Sequence, residues 1–165
     1  MIFRCVPPKW ASSKNIISGK GSFRSGARFN APESFAAIYG STTPELALTE
    51  SLVYQRDAGY PPQYALPLVL KAIRVDVRRM LSFTDPAVLN ALALTLDEML
   101  TNQWRLARAH GEESISQAAG RAAHACGIEA LAAPSAHTAE GINIILFPDH
   151  LPISSIKVLR GLPGR

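Results

Sequence analysis

The chain is predicted to fold as α+β, with small, partly antiparallel β-sheets and flanking helices. Strand-like apolar runs lie at both ends, at 2–6, 128–133, 142–147 and 156–159. Between them stand three helix-start signals: Thr43-Pro44-Glu45, Asp85-Pro86, and Ser114 followed three residues later by Gln117. Strands gathered at the ends with helices between them suit an α+β arrangement rather than a regular βαβ alternation.

Residues 2–6 form a short apolar run stopped by Pro7-Pro8, as an opening strand is. Arg4 interrupts it, so one face of that strand is expected to look into a polar site. Residues 11–30 are rich in Ser, Lys and Gly and read as one long loop, a length at which loops are usually functional or disordered. Within it, Gly21-Ser22-Phe23-Arg24-Ser25-Gly26-Ala27-Arg28-Phe29-Asn30 sets two arginines between glycines. Glycine lets a ligand approach the backbone closely, and arginine offers a fork of donors matched to phosphate or carboxylate. The stretch therefore reads either as an anion cradle or as a surface turn with solvated arginines.

An apolar segment at 35–39 ends at Gly40-Ser41. A hydroxyl cap, a proline in the first turn and an early acid then start a helix expected to run to about residue 56. On it Leu46, Glu50 and Val53 share one face through i+4 and i+3 spacing, so Glu50 is aimed inward with the apolar pair. A buried carboxylate is costly unless a cation or a hydrogen-bond donor meets it. Residues 58–65, with Gly59, Pro61 and Pro62, connect to a half-buried strand in which Val69, Lys71, Ile73, Val75 and Val77 alternate with other residues. Asp85-Pro86 opens a helix expected to reach about residue 96, followed by an amphipathic run over 97–110. The Ser114 helix is expected to reach Cys126 and stop at Gly127. Pro134-Ser135-Ala136-His137 closes the strand at 128–133, and Asn143 lies near the start of the next.

At 165 residues, 47% of them hydrophobic and 18% charged, the chain reads as one domain over 1–165 with a real core. No apolar run approaches the ~18 residues of a membrane span, the N-terminus does not read as a secretory signal, and the two cysteines share no motif. A cytoplasmic protein without membrane association is expected. The net charge of +4 admits an anionic ligand, a nucleic acid or an acidic partner. A nucleic-acid-binding module is the remote alternative, because the basic residues are dispersed and the aromatics sit in apolar runs. No direct nucleic-acid binding is expected.

His110, His124, His137 and His150 are scattered, and none pairs with Cys or a carboxylate at ligand spacing, so no metal is expected. Phosphate-binding and dinucleotide-binding glycine motifs are absent, as is a nucleophile elbow. Cys5 and Cys126 read as inert core thiols. What remains is a polar set on apolar elements: Arg4, Arg28, Tyr39, Glu50, Ser135 and Asn143. Each has an ordinary alternative, such as an edge-strand charge for Arg4 or a core aromatic for Tyr39, and Glu50 is the hardest to explain in that way.

These residues resemble the RES family of bacterial toxins, named for Arg, Glu and Ser. The resemblance is carried by Phe3-Arg4, by Gly26-Ala27-Arg28-Phe29-Asn30 where the family usually shows Gly-Gly-Arg-Trp-Asn, and by Ile38-Tyr39. It continues in Leu46-Ala47-Leu48-Thr49-Glu50, Ala133-Pro134-Ser135-Ala136 and Glu140-Gly141-Ile142-Asn143, while residues 55–125 add little. It implies an ADP-ribosyltransferase-like fold that takes NAD as substrate and cleaves its nicotinamide–ribose bond by phosphorolysis or hydrolysis, depleting NAD and arresting growth. The alternative acceptor is a protein side chain, giving mono-ADP-ribosylation. Implied partners are inorganic phosphate and a cognate antitoxin with an Xre-type helix-turn-helix domain. Implied catalytic residues are Glu50, Arg28 and Ser135, and implied NAD-binding residues are Arg28, Tyr39, Asn30, Arg4, Asn143 and Ser22. Arg28 would clamp phosphate, Tyr39 would stack on nicotinamide, and Arg24 or Arg4 would supply a second cation. No metal is required.

Overall fold

Strand alternation divides the protein into two cores, one on each face of a single mixed sheet. The structure is a computed structural model that describes residues 1–101 and 103–160. Its strands are β1 (Ile2–Val6), β2 (Ile38–Ser41), β3 (Val69–Val75), β4 (Met80–Ser82), β5 (Ala130–Pro134), β6 (Ile142–Leu146) and β7 (Ile156–Val158). They lie in the order β4-β5-β6-β2-β1-β3-β7, antiparallel except for the parallel pair β4–β5. Along a strand, successive side chains point to opposite faces. Leu131, Ala133 and Ile145 therefore join Phe29, Phe35, Phe83, Met99 and Phe147 in one core. Ile2, Val6, Ile38, Ile73, Ala130 and Leu146 join Ile16 and Leu151 in the other.

The helices are α1 (Ser13–Ile16), α2 (Lys20–Ser25), α3 (Pro44–Asp57), α4 (Pro86–Ala91), α5 (Leu96–Thr101), α6 (Trp104–Ala109) and α7 (Ile115–Ala125). The 11–30 region is thus not a plain loop. Ser12 caps α1 by accepting from the Asn15 N–H, and α1 then buries Ile16 in the core that holds Ile2 and Leu146. The helix from Asp85 stops at Ala91, well short of 96, because Thr95 and Glu98 make a fresh reciprocal start. The Thr95 N–H donates to the Glu98 carboxylate, and the Glu98 N–H donates to Thr95 Oγ1. The run at 97–110 divides into α5 and α6, and Asn102 lies outside the described residues. β4 was not anticipated; three residues are too few to show a period. Cys126 is exposed at the end of α7 rather than in a core, whereas Cys5 is half-buried, which pushes its thiol pKa up.

Helix α7 begins with the full capping box between Ser114 and Gln117. It lies so close to the 27–30 turn that a Cβ on Gly120 would stand 1.9 Å from the Phe29 carbonyl oxygen. Gly120→Ala is expected to lower stability by about 1–3 kcal/mol through this overpacking. Urea denaturation of the two proteins measures it, and equal midpoints would mean that α7 does not bear on Phe29.

Candidate active site

The site is assembled from the inward face of α3, the strands β2, β5 and β6, and the turn at 27–30. Thr43 caps α3 by accepting from the Leu46 N–H, and Pro44 occupies the first turn. Leu46 is buried and Glu50, one turn on, lies half-buried above the sheet. Two donors meet the carboxylate at the same oxygen: Ser135 Oγ and Asn143 Nδ2 each lie 2.6 Å from Glu50 Oε1. Hydrogen bonds to an ionised acceptor are the short, strong ones. Oε2 accepts no bond among the described residues, so half of the carboxylate stays available.

Both donors are themselves fixed. Ser135 follows β5, where its Oγ accepts from the N–H groups of His137 and Thr138, and its own N–H donates to the Gly141 carbonyl. Asn143 sits opposite Ser41 in the β2–β6 register, and Ser41 Oγ donates to Asn143 Oδ1 at 2.7 Å. That bond orients the amide so that its nitrogen faces Glu50. Ser41 is 2% exposed and belongs to the site, although only strand register connects it to Asn143. No sequence pattern marks it.

Arg28 projects from the tight turn closed by the Ala27–Asn30 bridge. Gly26 enters this turn at φ 63, and a Cβ there would stand 2.7 Å from Pro32, so glycine is required. The guanidinium donates to the Pro134 carbonyl at 2.9 Å and to the Met99 carbonyl. Two arms of the fork are therefore held by the protein. Burial lowers the Arg28 pKa, and the nearby Glu50 charge works against that shift. Arg28 makes no ion pair among the described residues. Arg4 is similar: it donates to the Ile16 carbonyl at 2.9 Å, burial lowers its pKa to about 10, and it makes no ion pair among the described residues. Arg24 is exposed on α2 and apart from this group.

Tyr39 stands in the fields of both Arg28 and Arg4. Its hydroxyl donates to Asn30 Oδ1 at 2.8 Å and accepts from the Phe29 N–H at 3.0 Å. Asn30 is fully buried, and its amide nitrogen donates to the carbonyls of Ser22 and Phe35. Ser22 Oγ donates to the Ala37 carbonyl and accepts from the Ala37 N–H. Asn30 and Ser22 thus spend their side chains on the scaffold that carries Arg28. Gln117, read from sequence only as part of a cap, also donates to the Ala27 carbonyl at 3.1 Å. Of the residues singled out by sequence, Glu50, Ser135 and Asn143 touch, Arg28 stands beside them, and Tyr39 links Arg28 to its support.

The histidines are a correction. The structure brings His124, Asp149 and His150 together, one potential ligand atom from each lying within 4.8 Å of the others. Spacing along the chain hides this because the last turn of α7 meets the turn after β6 only in the fold. Among the described residues no helix is long and apolar enough to cross a membrane.

A sequence model of the RES domain matches residues 1–163. Among solved structures, a chain in the crystal structure of the M. tuberculosis MbcT–MbcA toxin–antitoxin complex is similar in fold, with a TM-score of 0.74 and 20% sequence identity. The likeness covers 96% of this chain and 80% of that one. No curated protein gives a significant match.

Tyr39→Phe removes one hydroxyl and leaves the Phe29 N–H and Asn30 Oδ1 without it. The expected loss of stability at neutral pH is about 1–3 kcal/mol. Burial raises the Tyr39 pKa in the folded state, so its contribution is whole below the ordinary phenol pKa of about 10 and falls as pH rises above it. Urea midpoints across that range should fall more steeply for the parent than for Tyr39→Phe. Parallel curves would remove Tyr39 from this role.

Proposed function

We propose, from the premise that the chain belongs to the RES domain family, that it is a toxin that breaks the nicotinamide–ribose bond of NAD. The single observation that carries this reading is the Glu50 carboxylate, fastened through Oε1 and free at Oε2, beside a cation with no ion-pair partner among the described residues. A fixed anion next to a fixed cation suits a substrate with a cationic reacting centre and an anionic pyrophosphate.

In the proposed reaction the C1′–N bond breaks and its electron pair goes to the nicotinamide nitrogen. Nicotinamide leaves neutral, so no general acid is needed. The ribose is left oxocarbenium-like, and the Glu50 charge stabilises it without reorganisation, since Ser135 and Asn143 already hold the carboxylate in place. An acceptor oxygen then bonds to C1′. Hydrogen phosphate brings a nucleophilic oxygen with no proton to lose; water gives one up, and Glu50 Oε2 accepts it. Arg28 acts on the pyrophosphate through a charge held by two carbonyls and through its remaining N–H groups. Arg4 supplies the second cation, and the Tyr39 ring faces the nicotinamide. We assign the whole chain to one RES domain acting in the cytoplasm. The fold likeness to a chain in a toxin–antitoxin complex supports an antitoxin partner, which we take to carry an Xre-type helix-turn-helix domain and to cover the pocket.

The test is to incubate the protein with labelled NAD, with and without phosphate, and to follow free nicotinamide. Release stimulated by phosphate, with label confined to small molecules, is expected. Glu50→Gln keeps an acceptor for Ser135 and Asn143 but loses the charge, so turnover should fall about a hundred- to ten-thousandfold with an unchanged denaturation midpoint. Parent-like NAD loss in that variant sinks the assignment. Arg28→Lys should cost about a hundredfold, because a point charge cannot reach both the Met99 and Pro134 carbonyls and so loses its position.

A further inference from the structure

We propose that His124, Asp149 and His150 form a binding site for a divalent transition-metal ion, with Zn2+ the best match to the donor set. The three residues come from two elements, the last turn of α7 and the turn that follows β6. Two imidazoles and a carboxylate are ligands that Zn2+ takes, with a fourth position left for water. His124 Nε2 and Asp149 Oδ2 lie 2.8 Å apart, and the full set of ligand atoms falls within 4.8 Å. Two donors on one tetrahedral zinc stand about 3.3 Å apart, given bonds of about 2 Å. Reaching a coordination shell takes rotation of the two imidazoles out of their stack, so that one ion lies in the plane of each ring, and loss of the proton that His124 Nε2 shares with Asp149.

The supporting groups point the same way. The His150 Nδ1–H donates to the Ile128 carbonyl at 2.7 Å, which leaves the lone pair on Nε2. A second ring nitrogen tied to a backbone carbonyl is the usual device that orients a metal-binding histidine. His124 is clamped between the Phe35 ring, 4.2 Å away at 12°, and the His150 ring, 4.3 Å away at 23°. Phe147 stands edge-on to both imidazoles. These contacts keep both imidazoles beside Asp149 in the absence of an ion, and the stack opens when one binds. The Asp149 side chain is 52% exposed, so the site opens to solvent and an ion can enter.

The consequence is mechanical. A bound ion would clip the end of α7 to the sheet, and α7 is the helix whose Gln117 and Gly120 hold the turn carrying Arg28. The site is separate from the Glu50 cluster and does not rest on the proposed reaction.

The experiment uses the untagged full chain, stripped with a chelator and titrated with Zn2+ by calorimetry, with Co2+ as a spectroscopic probe. One saturable equivalent and a thermal midpoint that rises in excess Zn2+ are expected. Asp149→Asn and His150→Gln should each weaken binding more than about tenfold, while Cys126→Ser leaves it unchanged. Asp149 is exposed, so Asp149→Asn should match the metal-free parent in thermal midpoint and keep the test interpretable. Absence of a saturable equivalent in the parent overturns the proposal. So does parent-like affinity in Asp149→Asn, or loss of binding in Cys126→Ser.

Discussion

The charge on Glu50 is the constraint around which the molecule is arranged. A carboxylate on the inward face of a helix must find donors or lose stability. Here it finds them at the ends of two adjacent antiparallel strands, β5 and β6, joined by a turn whose backbone N–H groups also fix Ser135. The register that pairs Ala133 with Asn143 brings both donors to one carboxylate oxygen, and the register of β2 adds Ser41 behind them. Strand pairing, turn and helix cap therefore all converge on one atom. Moving β6 by one residue would turn Asn143 to the other face.

Arg28 poses the opposite problem, a half-buried cation with no carboxylate in direct contact. The protein meets it with carbonyl oxygens, from Met99 and Pro134, and with the field of the nearby Glu50 charge. Carbonyl dipoles hold a guanidinium in place but leave its net charge uncompensated, which suits a site awaiting an anion. The turn that carries Arg28 is braced on every side. Tyr39 and Asn30 tie it to β2, Ser22 ties α2 to the entry of β2, and α7 closes on it without room for a single methyl group. Residues that read in sequence as ligand contacts thus include several whose side chains are spent on support.

Some of this was legible along the chain, because local chemistry decides it. The caps at Thr43, Asp85 and Ser114, the alternation in β3 and the opening strand are set by neighbours a few residues away. Glu50 could be aimed inward from helical spacing alone, since Leu46 has only one place to go. The short helices α1 and α2 and the Thr95–Glu98 restart were harder to see. Each is a turn or two long, and its polar composition resembles a loop.

Sequence by itself determined the strands at both ends, β3, the helices that start at Thr43 and Ser114, the inward carboxylate and the candidate polar set, since propensity, capping and periodicity act over a few residues. Only the tertiary structure decided which members of that set touch. Strand register chose Ser41 as the fourth member of the Glu50 network, and close packing turned Gly120 and Gln117 into supports for Arg28. The meeting of α7 with the turn after β6 put His124 beside Asp149 and His150, though 25 residues separate His124 from Asp149. Those relations depend on distances across the sheet, and no local pattern encodes them.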